Sequence, residues 1–131
     1  MTQIIFSGID LIEIDRFSIL NPAIRKRLFA RVFSPEELVY IGESNNRAAG
    51  IFAAKEAVAK ALGCGIGPIS WQDIIISHTP QNQPTITLLD SAYDKEVELK
   101  IKQCSISITH TKKTAAAVAV AISNNLHKDI K

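Results

Sequence analysis

Apolar residues dominate the first stretch, Gln3 to Ile14, which is rich in Ile and in part alternates with polar positions. That pattern predicts a strand over about 3–14. On a strand, Asp10, Ile12 and Ile14 share one face, while Ile9, Leu11, Glu13 and Asp15 share the other. Asn21-Pro22 supplies a cap and a first-turn proline, opening a helix through about Arg31. Ser34-Pro35-Glu36-Glu37 is an equally clear start, with Glu37 placed to close a capping box, and this helix should end near Gly42. An Ala-rich helix follows from about Asn46 to Leu62 and stops at the glycines of the segment Gly63–Pro68. Asp73–His78 and Thr85–Leu89 read as paired strands around a turn from Pro80 to Pro84. In the next segment Leu89, Tyr93, Val97 and Ile101 repeat every fourth residue while Val97, Leu99 and Ile101 also alternate. The fourfold repeat is followed, giving a helix from Ser91 to about Lys102. Strands over about Cys104–Thr109 and Thr114–Ile122 close the pattern around the turn His110–Lys113.

This order predicts an α+β fold, a small antiparallel sheet packed with a long Ala-rich helix. A length of 131 residues fits one domain with a modest core. The domain is expected over 1–123, with a polar, frayed tail from about Ser123 through 124–131. No linker, repeat or low-complexity segment marks a second domain. A hydrophobic content of 47% with 21% charged residues is ordinary for a globular protein. No apolar run approaches the roughly 20 residues that span a bilayer. The opening Met1 to Phe6 has neither a basic region nor a long apolar stretch, so no secretory signal is expected. Cys64 and Cys104 are far apart and lack a His-rich neighbourhood, which argues against a zinc site or disulfide framework and for a reducing cytoplasm.

A net charge of +2 says less than its distribution. Arg16, Arg25, Lys26, Arg27 and Arg31 fall in a stretch without a single Asp or Glu. Such a surface suits nucleic acid, anionic lipid, an acidic protein, or simply solvent. Nucleic acid is disfavoured, because only Phe29 interleaves with the arginines.

Two carboxylates stand out because their neighbours are apolar: Asp10 among Ile and Leu, and Glu56 among Ala, Val and Phe. An ionised carboxylate in such surroundings is costly unless a cation or hydrogen bonds compensate it. If the two meet, they make a site for a hard cation, and magnesium if the substrate carries phosphate. Glu56 and Lys60, four apart on a helix, share a face, and read alone they are an exposed ion pair worth about 0.3–0.5 kcal/mol. Lys55 should point elsewhere. His110 lies at a tight turn whose hydroxyls, from Ser105, Ser107, Thr109 and Thr111, are donors suited to phosphate oxygens. No nucleotide-binding glycine motif is present, and no cysteine sits in an activating context.

Four segments, Gly8–Arg16, Arg31–Leu38, Phe52–Gly67 and Ser105–Thr111, taken in order, resemble the holo-[acyl-carrier-protein] synthases, the short bacterial type of 4′-phosphopantetheinyl transferase. The resemblance covers nearly the whole chain. It implies the 4′-phosphopantetheinyl transferase fold in a single-domain half unit that assembles as a homotrimer with interfacial sites. The implied activity transfers 4′-phosphopantetheine from coenzyme A to a serine of apo acyl carrier protein and releases adenosine 3′,5′-bisphosphate, in support of fatty acid biosynthesis. Asp10 and Glu56 match the family's magnesium ligands, and Lys60 is placed to meet the coenzyme's diphosphate. His110 and Thr111 match the coenzyme-binding turn, and Gly63 and Gly65 belong to a loop that admits the coenzyme. Arg16, Arg27 and Arg31 match the positions that dock the acidic carrier protein, with Leu20 and Arg25 as neighbours. Glu56, through a water, or Glu13 is the candidate base for the serine proton. One departure is Ile51, where the family commonly has Arg; Arg47, one turn earlier, is the candidate substitute. Cys64 replaces the more usual Thr. Two other readings stay open on the residues alone: another magnesium-dependent enzyme handling diphosphates, and a non-catalytic module that binds through its basic helix.

Overall fold

The computed structural model describes residues 3–124. Strand β1 (Gln3–Glu13) leads through a single helical turn, α1 (Asp15–Ser18), to helices α2 (Pro22–Val32), α3 (Pro35–Ile41) and α4 (Asn45–Ala61). A short 3-10 turn (Trp71–Asp73) precedes β2 (Ile74–His78) and β3 (Pro84–Leu88); α5 (Asp90–Glu98), β4 (Ile101–His110) and β5 (Thr114–Asn124) complete the described residues. The α+β class is as expected, and α1 and the 3-10 turn are additions to the predicted elements.

Strands β1, β5 and β4 form one antiparallel sheet in that order, with Gln3 opposite Asn124 and Asp10 opposite Ala117. The β2–β3 hairpin forms a second sheet, and β3 lies beside β4. Helix α4 packs across the three-stranded sheet, and side-chain size explains how closely it does so. The inward residues of β5 are Ala115, Ala117, Ala119 and Ala121, and α4 meets them with Ala53, Ala54, Ala57 and Ala61, all buried. Small residues on both sides bring the helix backbone down onto the strands. Gly8 on β1 marks the closest approach. A Cβ there would lie 2.0 Å from the Ala57 carbonyl oxygen and 2.7 Å from the Ala61 nitrogen.

The helix starts follow their caps. Asn21 accepts from the Ala23 amide at 2.8 Å, and the capping box at Ser34 forms with both reciprocal bonds to Glu37. Two expectations change. Helix α5 ends at Glu98 rather than near Lys102, because Lys100 adopts a left-handed φ of +57°, which a continuing helix does not accommodate. Strand β4 then begins at Ile101 with a register shift before Gln103. The polar tail was expected from Ser123, but Ser123 and Asn124 complete β5. The Ser123 side chain is buried and its hydroxyl donates to the Leu99 carbonyl at 2.6 Å. The rest of the expected tail, 125–131, lies outside the described residues. Among those described, no helix is long and apolar enough to cross a membrane.

Candidate active site

The alternation of β1 turns Gly8, Asp10 and Ile12 toward α4 and leaves Ile9, Leu11 and Glu13 outward. Because α4 presses against β1 at Gly8 through Ala57, Lys60 and Ala61, the same stretch of helix brings Glu56 and Lys60 near Asp10. The Lys60 ammonium lies 3.2 Å from Asp10 Oδ1 and donates to the Ile9 carbonyl at 3.0 Å. So the ion pair of Lys60 reaches across to the strand, instead of running along its own helix to Glu56 as an isolated helix would have it. Glu56 is half-buried, and burial first, then the negative charge of Asp10, raises its pKa above the usual carboxylate value; Lys60 partly offsets this. Two carboxylates therefore repel each other in a partly desolvated place where one ammonium does not fully compensate them. That donor set, oxygen only, fits a hard divalent cation completing its shell with phosphate oxygens or water. No group of three or more metal-binding side chains occurs among the described residues, so substrate or solvent would supply the remaining ligands.

One turn beyond Lys60, helix α4 ends in a glycine loop. The Gly63 amide donates to the Lys60 carbonyl at 3.0 Å and that of Gly65 to the Ala59 carbonyl at 3.1 Å. Gly63 and Gly65 take φ values of +89° and +68°, accessible at low cost only without a Cβ. The loop sits directly after the carboxylate pair, and its exposed backbone can approach a ligand closely.

Asp10 and Lys60 open into a cleft of about 370 Å³ with Ile9, Leu11 and Ala116. His110 does not join them. It lines a separate cavity of about 280 Å³ with Tyr40, Arg47, His78 and Ile51. Thr111 holds its turn together, its hydroxyl accepting from the Lys113 and Thr114 amides. Ser105, Ser107 and Thr109 point to the outer face of the sheet, away from His110. Ile51 is buried, and Arg47 lines the same cavity, as the sequence suggested for a substitute. Its guanidinium donates to the Tyr40 carbonyl at 2.8 Å and lies 4.7 Å from the Tyr40 ring centroid.

On the basic surface Arg16, Arg27 and Arg31 are exposed beside the exposed Ile19 and Ile24, with Leu20 half-buried. Arg25 is differently engaged: it stacks over Phe29 at 4.0 Å and donates to Asn45 at 2.7 Å, so part of it serves the fold. Residues that sequence reasoning missed include His78, stacked on Tyr40 with centroids 4.1 Å apart, and the fully buried pair Glu37–Lys55 at 2.8 Å. The signal for that pair was present: Lys55 interrupts an apolar helix just as Glu56 does.

A carboxylate pair from a first strand and an Ala-rich helix, a lysine one turn on and a glycine loop closing the helix define a class. The chain belongs to the 4′-phosphopantetheinyl transferase superfamily, whose pattern matches residues 7–121. Within it, the chain is similar to holo-[acyl-carrier-protein] synthases. It is 42% identical to that of Moorella thermoacetica over 123 residues, covering 90% of this chain and 94% of the relative. The crystal structure of Helicobacter pylori holo-[acyl-carrier-protein] synthase in complex with coenzyme A superposes with a TM-score of 0.79 at 38% identity, over 88% of this chain and 98% of that one. The Neisseria meningitidis enzyme gives the same TM-score at 32% identity, over 88% of this chain and 96% of that one.

Proposed function

We propose that this chain is a holo-[acyl-carrier-protein] synthase that transfers 4′-phosphopantetheine from coenzyme A to a serine hydroxyl of apo acyl carrier protein. The serine oxygen forms a bond to the phosphorus bearing pantetheine, the diphosphate bridge breaks, and adenosine 3′,5′-bisphosphate leaves. The observation that carries the reading is the meeting of Asp10, Glu56 and Lys60 beside a glycine loop, in a chain similar over about nine-tenths of its length to enzymes of that name.

Asp10 and Glu56 would hold magnesium, which when bound supplies charge neutralisation at the diphosphate. Lys60 adds its own positive charge beside the leaving group. Glu56, acting through a water, is the better-placed proton acceptor for the serine, since Glu13 stands on the opposite face of β1. Gly63 and Gly65 let the coenzyme approach the backbone, while His110 and Thr111 form a second coenzyme contact. Arg16, Arg27 and Arg31, with Leu20 and the exposed Ile19 and Ile24, dock the acidic carrier protein.

His110 and Asp10, with Lys60, line different cavities of one chain, which supports a site completed by a neighbouring subunit. The outer face of the sheet supplies the surface: Ile5, Ile9 and Leu11 are each about two-thirds exposed, and Val118 and Val120 adjoin them on β5. Burying that face in a homotrimer accounts for both features. A cytoplasmic enzyme serving fatty acid biosynthesis agrees with the two unbridged cysteines, Cys64 and Cys104. Incubation with apo acyl carrier protein, coenzyme A and magnesium should add the mass of one phosphopantetheine to the carrier protein. Folded enzyme that leaves the carrier mass unchanged overturns the proposal.

A further inference from the structure

The Glu37–Lys55 pair is completely buried, and its hydrogen bonds join three separate elements. Glu37 on α3 accepts from the Ser34 amide at 2.8 Å through Oε1, and from the Ile76 amide on β2 at 2.8 Å through Oε2. Lys55 on α4 donates to Glu37 at 2.8 Å, to the Trp71 carbonyl at 2.9 Å and to the Ile74 carbonyl at 2.6 Å. All three ammonium protons thus have acceptors, and both carboxylate oxygens are engaged.

A buried ion pair is weak evidence for stability, because apolar residues of similar volume often serve as well or better. What it adds is geometry. All three elements it joins line the cavity containing His110, which Pro84 on β3 and Ile108 on β4 also line. Tyr40 lies one turn after Glu37 on α3, His78 lies two residues after Ile76 on the same strand face of β2, and Arg47 lies two turns before Lys55 on α4. Their side chains form a layered stack, with Arg47 over Tyr40 and Tyr40 on His78, the ring planes of the latter two 12° apart. Lys55 also sets the rotation of α4. With Lys55 turned to β2 and α3, Glu56, about 100° further round, faces Asp10.

We propose that Glu37 and Lys55 are positioning residues: their buried pair fixes α3, α4 and β2 so that Arg47, Tyr40 and His78 form a rigid wall for the coenzyme. The coenzyme part rests on the function proposed above; the rigidity of the wall does not. His78 reports on the wall directly. Burial, and then the charge of Arg47, lowers its pKa, and the groups facing it in the cavity are Arg47, Tyr40 and His110.

The test compares wild type with Glu37→Leu/Lys55→Met, which replaces the pair by apolar residues, and with Glu37→Gln, which keeps the shape and an acceptor for Ile76. In wild type, a proton NMR titration should place the His78 pKa below the ordinary value of about 6.5. In each folded variant it should rise toward that value. The KM for coenzyme A should rise about tenfold, a fraction of the roughly hundredfold cost of a 1 Å misplacement. A purely structural role would change the melting temperature and leave both readouts in place. A folded variant with wild-type His78 pKa and wild-type KM overturns the proposal. If no phosphopantetheine transfer is found even for wild type, the functional reading fails while the His78 titration still decides on the wall.

Discussion

Gly8→Ala is the smallest change that should separate the fold from its site. Gly8 has no left-handed φ, so its need for glycine is one of space. A Cβ at this position would meet the Ala57 carbonyl oxygen at 2.0 Å, the Ala61 nitrogen at 2.7 Å and the Lys60 Cβ at 2.9 Å. Ordinary contacts begin near about 3.5 Å, so β1 and α4 must part by more than about 1 Å. Two of the three obstructing atoms are main-chain, which no rotamer change relieves. The cost should sit at the upper end of the overpacking range, about 3 kcal/mol. At about 3–6 °C per kcal/mol for a chain of this size, the melting temperature should fall by about 9–18 °C. The same parting opens the gap between Asp10 on β1 and Glu56 and Lys60 on α4. A displacement of about 1 Å at reacting groups costs on the order of a hundredfold in rate. Calorimetry gives the first number and carrier-protein mass analysis the second. The rate should be measured well below the lowered melting temperature, so that the loss reflects geometry rather than unfolding. A Gly8→Ala protein that melts and transfers like wild type would refute the close-approach argument.

Glu56→Gln should abolish transfer and yet raise the melting temperature at neutral pH without magnesium. The folded-state pKa of Glu56 lies above its unfolded value, so folded protein binds more protons and wild-type stability falls as pH rises from about 4.5 through the folded value. The variant should lose that slope in melts between pH 4 and 8, and an unchanged slope would put the shift elsewhere. Magnesium held between Asp10 and Glu56 should stabilise wild type by about 2.7 kcal/mol at a hundredfold excess over Kd, and Glu56→Gln by much less. Ile9→Glu places a charge on the outer sheet face and should convert the assembly to monomers by light scattering, with transfer lost; a monomeric wild type would dispose of the trimer. Charge reversal at Arg16 or Arg27 should raise the KM for acyl carrier protein and leave that for coenzyme A unchanged, and a shift in both would move these residues out of the docking surface.

The fold was most legible where local chemistry decides it. Asn21-Pro22 and Ser34-Pro35 with Glu37 set helix starts that the structure reproduces through side-chain caps. The Ala-rich segment announced close packing, because small side chains at most positions bury a helix on several sides. The errors fall where a tertiary contact outweighs a local pattern. Leu89, Tyr93 and Val97 repeat as a helix face but are exposed, while Ala92 is the buried residue of α5. Nothing in a fourfold repeat says that Lys100 will turn left-handed, or that Ser123 will be drawn into the sheet by the Leu99 carbonyl.

The site divides along the same line. Asp10 and Glu56 were visible because each charge lies in an apolar context, and such a charge is conspicuous whatever the tertiary structure. That they meet depends on Gly8, whose role is invisible in sequence: a strand glycine signals a bulge or a close approach equally well, and only the crossing of α4 distinguishes them. Lys55 carries the opposite lesson. It interrupts the same apolar helix one position before Glu56, and by sequence alone it was a lysine pointing away from the site. The structure shows it more deeply buried than the proposed catalytic residue beside it, satisfied by Glu37 and two carbonyls. Adjacent charges on one buried helix thus face different neighbours, about 100° apart, and do different work. Lys55 is fully paired and immobilises the helix, whereas Glu56 is left strained against Asp10 and available to a cation. The proposed binding of a cation and then a coenzyme needs both conditions, an unsatisfied charge and a rigid support for it, and α4 carries them at consecutive positions.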